Sequence, residues 1–510
     1  MSLRSFFRCF CIFFSGMVFS QGKLVLLPGS EKIYFDKATQ THRLIGTVNF
    51  EYQGNTMYCD SAHFKEHKKI VRAYGNVHIT KGEINLYCDS LFYSGTNKFA
   101  RLWGHVDVRD NAYKLSSDSV EYNAKTGRVI YRNKGKIQNS LNKELITSKV
   151  GYFYPSTGSY FFSGKVVYKK DDLLLTTDTL QFDHRTQTSY IHGPTLIKND
   201  SIEIHCSKGY YRVDKQEGAL SRSVEIKQDD RTIQCDSVYY KETNQQFTGK
   251  GHVRIDDHKK HLILIGDRFF SQRPNNETTL SGNALVIEYS NNSDSIFIGA
   301  DTLEMYDDSL NHSIILGHGR VKSFTKQVQT ISNAAYYSKD NGILHLTQRP
   351  MVWAKNVELQ GDSINLGFKD SLLDKALVKG NAKAIMSVDT GAYFNQLSGN
   401  HIDASFQKGE LKRADVKGQA WTIFYPIEER KTDTTIIRER IGLNRLFASE
   451  LHVYLDSGEV EKVTFFDKPD GVFFPINQMD EKEKFIKGFS WNPMLRPKKP
   501  NLSYLPRKPK

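Results

Sequence analysis

Apolar and polar residues alternate along much of the chain with the period of two that is typical of a half-buried β-strand. Residues 73–79 alternate in this way, and after a short turn residues 84–88 do so again. Leu91 and Tyr93 keep the alternation but are out of step with Cys88. One extra residue moves every later side chain to the opposite face of a strand. A bulge or corner after Cys88 would keep both apolar sets on one interior, so the pattern predicts strands that bend in the middle.

The same pattern recurs as an internal repeat. A glycine followed two residues later by an apolar residue returns every 29 residues in most of the early steps, as from Gly46 to Gly75. A second motif, typified by residues 58–64 (YCDSAHF), follows it in phase. The first series has thirteen members: Gly46, Gly75, Gly104, Gly135, Gly164, Gly193, Arg222, Gly251, Gly282, Gly319, Pro350, Gly380 and Gly418. Two motifs that stay in phase over so many residues indicate one structural unit repeated about thirteen times.

Each repeat is predicted to supply two kinked antiparallel strands, which gives an all-β, elongated, open stack in which each unit leans on its neighbours. The recurring acids Asp60, Asp89, Asp118, Asp178 and Asp236 lie at the phase slip. We interpret them as corner residues, because Asp and Ser side chains can bond nearby backbone groups. The glycine of the other strand marks the matching bend, where no side chain fits.

The repeats and their departures divide the chain into four parts. We expect a signal peptide at 1–20, the clearest repeats at 21–255, and more divergent repeats at 256–466. A charged insertion at about 424–446 is expected to form a short helix or a mobile loop. The last part, 467–510, ends in a basic, proline-rich tail and is expected to be extended or disordered.

The N-terminal segment has the features of a secretory signal. Arg4 and Arg8 supply positive charge, and residues 6–19 are mostly apolar but too short to span a membrane. Cleavage after residue 20 removes two positive charges and lowers the net charge from +13 to +11. A basic secreted protein suits an anionic lipid or phosphorylated glycolipid, whereas secretion argues against nucleic acid. Diffuse charge that serves only solubility remains the alternative.

Four cysteines remain after this cleavage, and all occupy the same slot before the corner: Cys59, Cys88, Cys206 and Cys235. With two strands per repeat, equivalent slots lie two strand spacings of about 4.8 Å apart, beyond disulfide reach. This favours buried free thiols. If each repeat instead advanced the sheet by one strand, the pairs Cys59–Cys88 and Cys206–Cys235 would be feasible.

The glycine motif paired with the Cys-Asp-Ser motif resembles the repeats of the OstA/LptA family of lipopolysaccharide-transport proteins, and is similar to the periplasmic N-terminal domain of LptD. The resemblance covers most of residues 40–420 and is clearest at 44–255. It implies an open β-jelly-roll that shields lipopolysaccharide acyl chains in the periplasm during outer-membrane assembly. It also implies other transport components as partners, such as an outer-membrane barrel, and end-to-end self-association. The chain is longer than the small bridge proteins of the family.

An apolar groove between two walls also makes physical sense, because each buried methylene of an acyl chain contributes about 0.8 kcal/mol. The residues predicted to line it are Val48, Val77, Val106, Val166, Leu180 and Val238. The alternative is that these side chains only fill a closed core.

Catalysis is not expected. The sequence has no nucleophile elbow, metalloprotease helix motif or phosphate-binding loop. His258 and His261 lie in a polar turn and are better explained as solvated loop residues than as metal ligands, so we expect no metal and no cofactor. The rival functions are a β-solenoid surface adhesin and a polysaccharide-binding protein. A parallel β-helix fits a two-strand repeat with a phase slip poorly.

Overall fold

The computed structural model describes residues 25–501, except for gaps at 53–54, 124, 140, 142, 155–156, 184, 213, 273–276, 290–294, 370–371, 409, 432–435 and 457–458. The described chain is a series of antiparallel strands with a few 3-10 turns, which confirms the predicted all-β class. It divides into two compact units, Met1–Thr243 and Asn244–Lys510. The expected signal peptide lies outside the described residues.

The first unit contains eighteen described strands. They are β1 Val25–Leu27, β2 Ser30–Asp36, β3 Thr41–Tyr52, β4 Asn55–Lys65, β5 Ile70–Lys81, β6 Ile84–Ser94, β7 Phe99–Arg109, β8 Tyr113–Asn123, β9 Arg128–Tyr131, β10 Gly135–Asn139, β11 Glu144–Ser148, β12 Val150–Tyr154, β13 Ser159–Lys170, β14 Leu173–Asp183, β15 Thr188–Lys198, β16 Ile202–Arg212, β17 Glu217–Gln228 and β18 Arg231–Lys241.

The second unit also contains eighteen described strands. They are β19 Gln246–Asp257, β20 Leu262–Gln272, β21 Glu277–Glu288, β22 Ile296–Asp307, β23 Ser313–Phe324, β24 Val328–Ser338, β25 Ile343–Thr347, β26 Met351–Ala354, β27 Val357–Gln360, β28 Ser363–Lys369, β29 Leu372–Val388, β30 Tyr393–Gln407, β31 Glu410–Phe424, β32 Ile427–Lys431, β33 Ile436–Arg440, β34 Gly442–Asp456, β35 Glu459–Phe466 and β36 Asp470–Pro475. The described 3-10 turns are Glu242–Asn244, Asp389–Gly391, Ile476–Gln478, Glu481–Lys484 and Pro493–Leu495.

Strands that follow one another in sequence pair with one another, as the repeat predicts. In the first unit β5 pairs with β4 and β6, and β16 pairs with β15 and β17. Every strand pairing recorded among the described residues is antiparallel, which is incompatible with a parallel β-helix. In several places the kinked strand is cut into two segments at the corner. β8 pairs with both β9 and β10, and in the second unit β24 pairs with both β25 and β26.

The corner is a β-bulge on the glycine-bearing strand. Between β5 and β6, the pairs Tyr74–Ser90 and Val77–Cys88 leave Gly75 and Asn76 opposite the single residue Asp89. Both bulge residues have positive φ, 73° for the glycine and 45° for the asparagine. The glycine is required for a second reason: a Cβ on it would lie 2.3 Å from the Asp60 carboxylate. The predicted pairing of an acid with a glycine bend is therefore correct.

The acid of one strand bonds the residue that follows the glycine of the next strand, rather than its own local backbone. Asn76 donates to Asp60 over 2.9 Å. The same contact recurs on the outer surface of both units between His105 and Asp89 (2.8 Å), Asn283 and Asp267 (3.1 Å), Arg320 and Asp301 (2.8 Å), and Asn381 and Asp362 (3.2 Å). We call this series the outer corner ladder. It gives these corner acids a polar partner and ties each bulge to the preceding strand.

The four predicted free thiols are confirmed: Cys59, Cys88, Cys206 and Cys235 are all buried and unpaired. Cys59 pairs across the sheet with Val48, and Cys88 with Val77, so another strand lies between the two cysteines of each 29-residue step. Burial raises the pKa of the Cys59, Cys88 and Cys235 thiols to about 12.

Two C-terminal segments differ from expectation. The charged insertion forms a β-hairpin of β32 and β33 rather than a helix or loop, because its two halves pair in antiparallel register from Ile427–Arg440 to Lys431–Ile436. The region after residue 467 forms β36, which pairs with β34, and then a packed segment up to residue 501. Residues 502–510 of the expected disordered tail lie outside the described residues.

Residues 484–501, which we call the C-terminal strap, run across the outer face of the second unit. Side chains of three strands form hydrogen bonds with the strap. Gln396 of β30 donates to the Lys484 carbonyl (2.8 Å), Gln360 of β27 donates to the Ser490 carbonyl (2.9 Å), and Arg496 donates to Gln329 of β24 (2.6 Å). The basic, proline-rich composition of the tail gave no sign of these contacts, because they are made by strand residues that point outward.

Apolar side chains extend this attachment. Ile486 is buried with Ile423, Tyr425 and Leu443. Further along, Lys499 lies over the ring of Phe297, which belongs to an outward-facing apolar cluster with Ile265, Leu285 and Ile287. A strand with one face in water normally has polar residues on that face. The outward apolar residues of these strands are accounted for by the strap, which covers them.

Candidate functional site: the apolar interior of the first unit

The kinked strands of the first unit enclose an interior between two walls that meet at the corner. Wall 1 is the side that follows the bulge in the glycine-bearing strands, and wall 2 is the side that precedes it. Because inward residues pair across every strand, each wall carries continuous rows. The main row of wall 1 runs through Phe50, Met57, Ile79, Leu86, Val108, Leu115, Ile137, Ile146, Tyr168, Leu175, Ile197, Ile204, Ile226 and Ile233. The facing row of wall 2 includes Ala73, Leu91, Leu102, Val120, Tyr131, Phe162, Leu180, Ile191, Gly209, Leu220 and Val238.

The interior is closed between β5 and β13. Leu86 and Leu115 of wall 1 and Leu102 and Val120 of wall 2 are all at most 1% exposed. Branched side chains from both walls fill this stretch, so it has the close packing of an ordinary core.

Tyr131 completes the closure where the strand is cut between β9 and β10. Its ring occupies the space that a Cβ of Gly135 or Gly151 would need, at 2.2 and 2.3 Å. Its hydroxyl bonds the Ser148 hydroxyl over 2.6 Å, and burial raises its pKa to about 12. The two glycines are thus required by the ring that lies between them.

The interior opens between β14 and β18. In wall 1 the row residues Leu175, Ile197, Ile204 and Ile233 are half-buried, whereas Ile226, between the last two, stays buried (3% exposed). On wall 2, Phe182, Tyr211 and Tyr240 are also half-buried. On wall 2, Gly209 makes room for its neighbours in the row, since a Cβ there would lie 2.7 Å from the Leu220 side chain and 3.3 Å from the Ile191 side chain.

The outer face of the open stretch is charged, so these strands are amphipathic. Glu203 of β16 bonds His205 (2.9 Å) and Lys198 (3.1 Å). These bonds, the first to His205 and then to Lys198, lower the pKa of the Glu203 carboxyl to about 2. The apolar inward face is therefore a distinct surface.

All six predicted lining residues face this interior, and all are buried: Val48 (0% exposed), Val77 (1%), Val106 (1%), Val166 (0%), Leu180 (9%) and Val238 (3%). The four earliest lie in the row at the corner of wall 1, and Leu180 and Val238 lie on wall 2 beside the open stretch. Their assignment as lipid-contacting residues stays a prediction.

Sequence reasoning missed the accessible row of wall 1. Four of the six residues that it selected lie two places after the glycine, deepest in the corner, and the other two lie on wall 2. The alternating apolar residues of the second strand, such as Ile204 and Ile233, carried the signal for the accessible positions. Tyr131 was also missed, although two glycines twenty residues or fewer from it interrupt the apolar pattern.

The interior is lined mainly by apolar side chains. Polar groups at the corner satisfy one another, as Thr177 and Thr195 do over 2.8 Å. Across the described ranges, no group of three or more His, Cys, Asp or Glu residues is placed to hold a metal ion. His258 and His261 are exposed in the turn between β19 and β20.

An all-β protein of repeated kinked strands around an apolar interior is the class that the fold defines. Residues 23–178 match the family model described as OstA-like protein, which confirms the resemblance over this part of the chain. No curated protein matches the chain. No helix in the described part of the chain is long and apolar enough to cross a membrane.

Proposed function

We propose that the chain is a non-catalytic carrier of lipopolysaccharide in the periplasm, and that it holds acyl chains in the open stretch of the first unit. The half-buried row of Leu175, Ile197, Ile204 and Ile233 carries this proposal. The match to the OstA-like family model supports it, because the family is associated with envelope transport and binding rather than with catalysis.

The energetics favour an acyl chain as the occupant. Partly exposed isoleucine and leucine side chains on an inward-facing wall still have apolar area to remove from water. Ten buried methylenes would contribute roughly 8 kcal/mol before the cost of ordering the chain. A polysaccharide would need polar groups along the same row, and the row of wall 1 supplies only apolar side chains there.

The closed stretch limits where lipid can lie along the two walls. Lipid can enter the open stretch without moving the strands, whereas passage along β5–β13 requires the two walls to separate. Val166, Leu180 and Val238 flank the open stretch, so they would contact lipid before Val48, Val77 or Val106.

The cellular setting belongs to the same proposal. A cleaved signal peptide would place the chain in the periplasm, where other lipopolysaccharide-transport components, including an outer-membrane barrel, would deliver or receive the lipid. End-to-end association with another copy would extend the wall rows.

Photo-crosslinking tests the proposal. A photoreactive residue at Ile204, in cells that make lipopolysaccharide, is expected to label the lipid, and the same residue at His205 is the control because His205 points outward on the same strand. Probes at Val77 and Val106 report on the closed stretch. If folded protein gives no lipid adduct from any inward position, or equal labelling from Ile204 and His205, the carrier function is wrong.

A further inference from the structure

At one position of the first unit, lysines replace both the acid and its partner in the outer corner ladder. Lys149 occupies the position that Asp60 and Asp89 hold in the preceding repeats, since its Cβ lies 3.0 Å from where a Cβ of Gly164 would be. The residue after this glycine is Lys165, so a lysine faces a lysine where the contacts of the outer corner ladder pair an acid with an amide or a cation.

Backbone hydrogen bonds bring a third lysine to the same place. The Lys134 amide donates to the Lys149 carbonyl, and the Lys149 amide donates to the Gly164 carbonyl, both over 3.0 Å. Lys134, Lys149 and Lys165 are therefore held on three adjacent chain segments, and all three are exposed.

These residues line a groove of about 730 Å³ on the outer surface, together with Lys136. Ser116 and Thr147, which pair with Lys136 on either side, add hydroxyl groups to its wall. The groove exists because the strands are cut here: β9 and β10 are separate, as are β11 and β12.

The charge in the groove is unbalanced. Of its two carboxylates, Asp107 is already paired with Lys114 over 2.7 Å, which leaves Asp118 to face four lysines. In the part of the chain that the structure describes, none of these four ammonium groups forms an ion pair with a carboxylate. Like charges held side by side disfavour one another, so a bound anion would stabilise this cluster of lysines.

We propose that this groove binds a phosphate-bearing anion. A phosphate monoester carries close to two negative charges and three acceptor oxygens, which suit several lysine point charges and two hydroxyl donors. The volume is that of a small-molecule site. The phosphate would come from a phosphorylated glycolipid headgroup or from a soluble phosphate compound. The proposal concerns the outer surface and does not depend on acyl chains in the interior.

Binding to the full chain tests the proposal, with calorimetric titration of glucosamine 1-phosphate, which has no acyl chains, and of inorganic pyrophosphate. Vesicles of phosphatidylcholine with and without lipid A form the second arm. K149D restores the acid of the ladder and is expected to weaken phosphate binding at least tenfold. K215D makes the same charge change at an exposed turn outside the groove and is expected to bind as the unaltered chain does. K136Q provides an independent variant if K149D folds poorly.

Weaker binding of glucosamine 1-phosphate and lipid A vesicles by K149D and K136Q supports a headgroup phosphate. Loss of pyrophosphate binding alone supports a soluble phosphate as the ligand. Equal affinity of K149D, K136Q and K215D for every phosphate compound, or no binding by the unaltered chain at low salt, overturns the proposal. Acyl-chain crosslinking at Ile204 is unaffected by any of these outcomes, so the two proposals fail separately.

Discussion

The corner glycines can be tested by adding one methyl group at two positions that differ only in their surroundings. Gly104 has φ +77°, and a Cβ on it would lie 2.2 Å from Asp89 Oδ2 and 2.6 Å from Asp89 Cβ. Gly82 has φ +58° in the turn between β5 and β6, and a Cβ on it would meet nothing within 4 Å. G82A therefore measures the conformational penalty alone, and G104A measures that penalty plus the close contact.

The expected magnitudes follow from these two contributions. The left-handed conformation costs an alanine about 1–2 kcal/mol, which is the whole effect expected for G82A. Overpacking adds about 1–3 kcal/mol for G104A, so the two variants should differ by that amount. D89A combined with G104A should recover only part of the loss, because removing the carboxylate leaves the Cβ contact.

Amide hydrogen exchange of the full chain is the suitable assay, because stability in a repeat protein is local. Each 1.4 kcal/mol corresponds to about tenfold faster exchange through opening. G104A should accelerate exchange in β6–β8 about five- to a hundredfold more than G82A does in β5 and β6. Equal acceleration by G82A and G104A would refute the steric role of the acid–glycine corner.

Four further tests concern other parts of the structure. E358A should lower the stability of the second unit by about 2–4 kcal/mol and make the strap sensitive to protease. The reason is that the buried Glu358 carboxylate accepts hydrogen bonds from Trp353 (2.9 Å) and from the Asn492 backbone and side chain (2.9 and 3.0 Å). E428A in the exposed hairpin is the control, and unchanged proteolysis of E358A would contradict the contact. The four buried thiols should resist iodoacetamide at pH 8 until the protein unfolds, and labelling of native protein at the rate of unfolded protein would contradict their burial. Burial raises the thiol pKa from 9.0 to about 12 in Cys59, Cys88 and Cys235, so these thiols ionise at lower pH in the unfolded chain than in the folded one. The free energy of unfolding should therefore fall as pH rises from 9 toward 12. Replacing all four cysteines by alanine should flatten this pH dependence, measured by urea unfolding. Y131F removes the bond to Ser148 and should cost about 1 kcal/mol, whereas Y131A should cost about 3–5 kcal/mol and open the closed stretch to a hydrophobic dye; failure of Y131A to increase dye binding would contradict the role of the ring in closure.

The strand architecture was predictable because it depends on local patterns that repeat. The slip between Cys88 and Leu91 identified the corner, and the 29-residue spacing identified two strands per repeat, which in turn separated the cysteines. The partner of Asp60 was not predictable in the same way. Its contact with Asn76 joins residues on different strands, and only the register of the sheet decides which side chain the acid meets.

The sequence predicted that the candidate site is an apolar interior surface, but not which of its residues are accessible. Alternation shows which residues face inward, and all six chosen residues do. Alternation does not show whether an inward position is closed or accessible, since Ile226 is buried and its paired neighbour Ile233 is half-buried although both face inward. The strap escaped prediction because Gln360, Gln396 and Gln329 have the pattern of solvated strand residues until another segment lies on them.

The path of the strap also orders the events of biosynthesis. Strands β20 to β30 leave the ribosome before residues 484–501 do, so the outward apolar cluster of Ile265, Leu285, Ile287 and Phe297 stays exposed to water while these strands are already paired. Maturation of the second unit is then a two-step process, in which the paired strands assemble first and a late segment seals them. A nascent chain that stalls before residue 484 would leave these apolar side chains exposed to chaperones and proteases. Incomplete molecules could therefore be recognised and degraded.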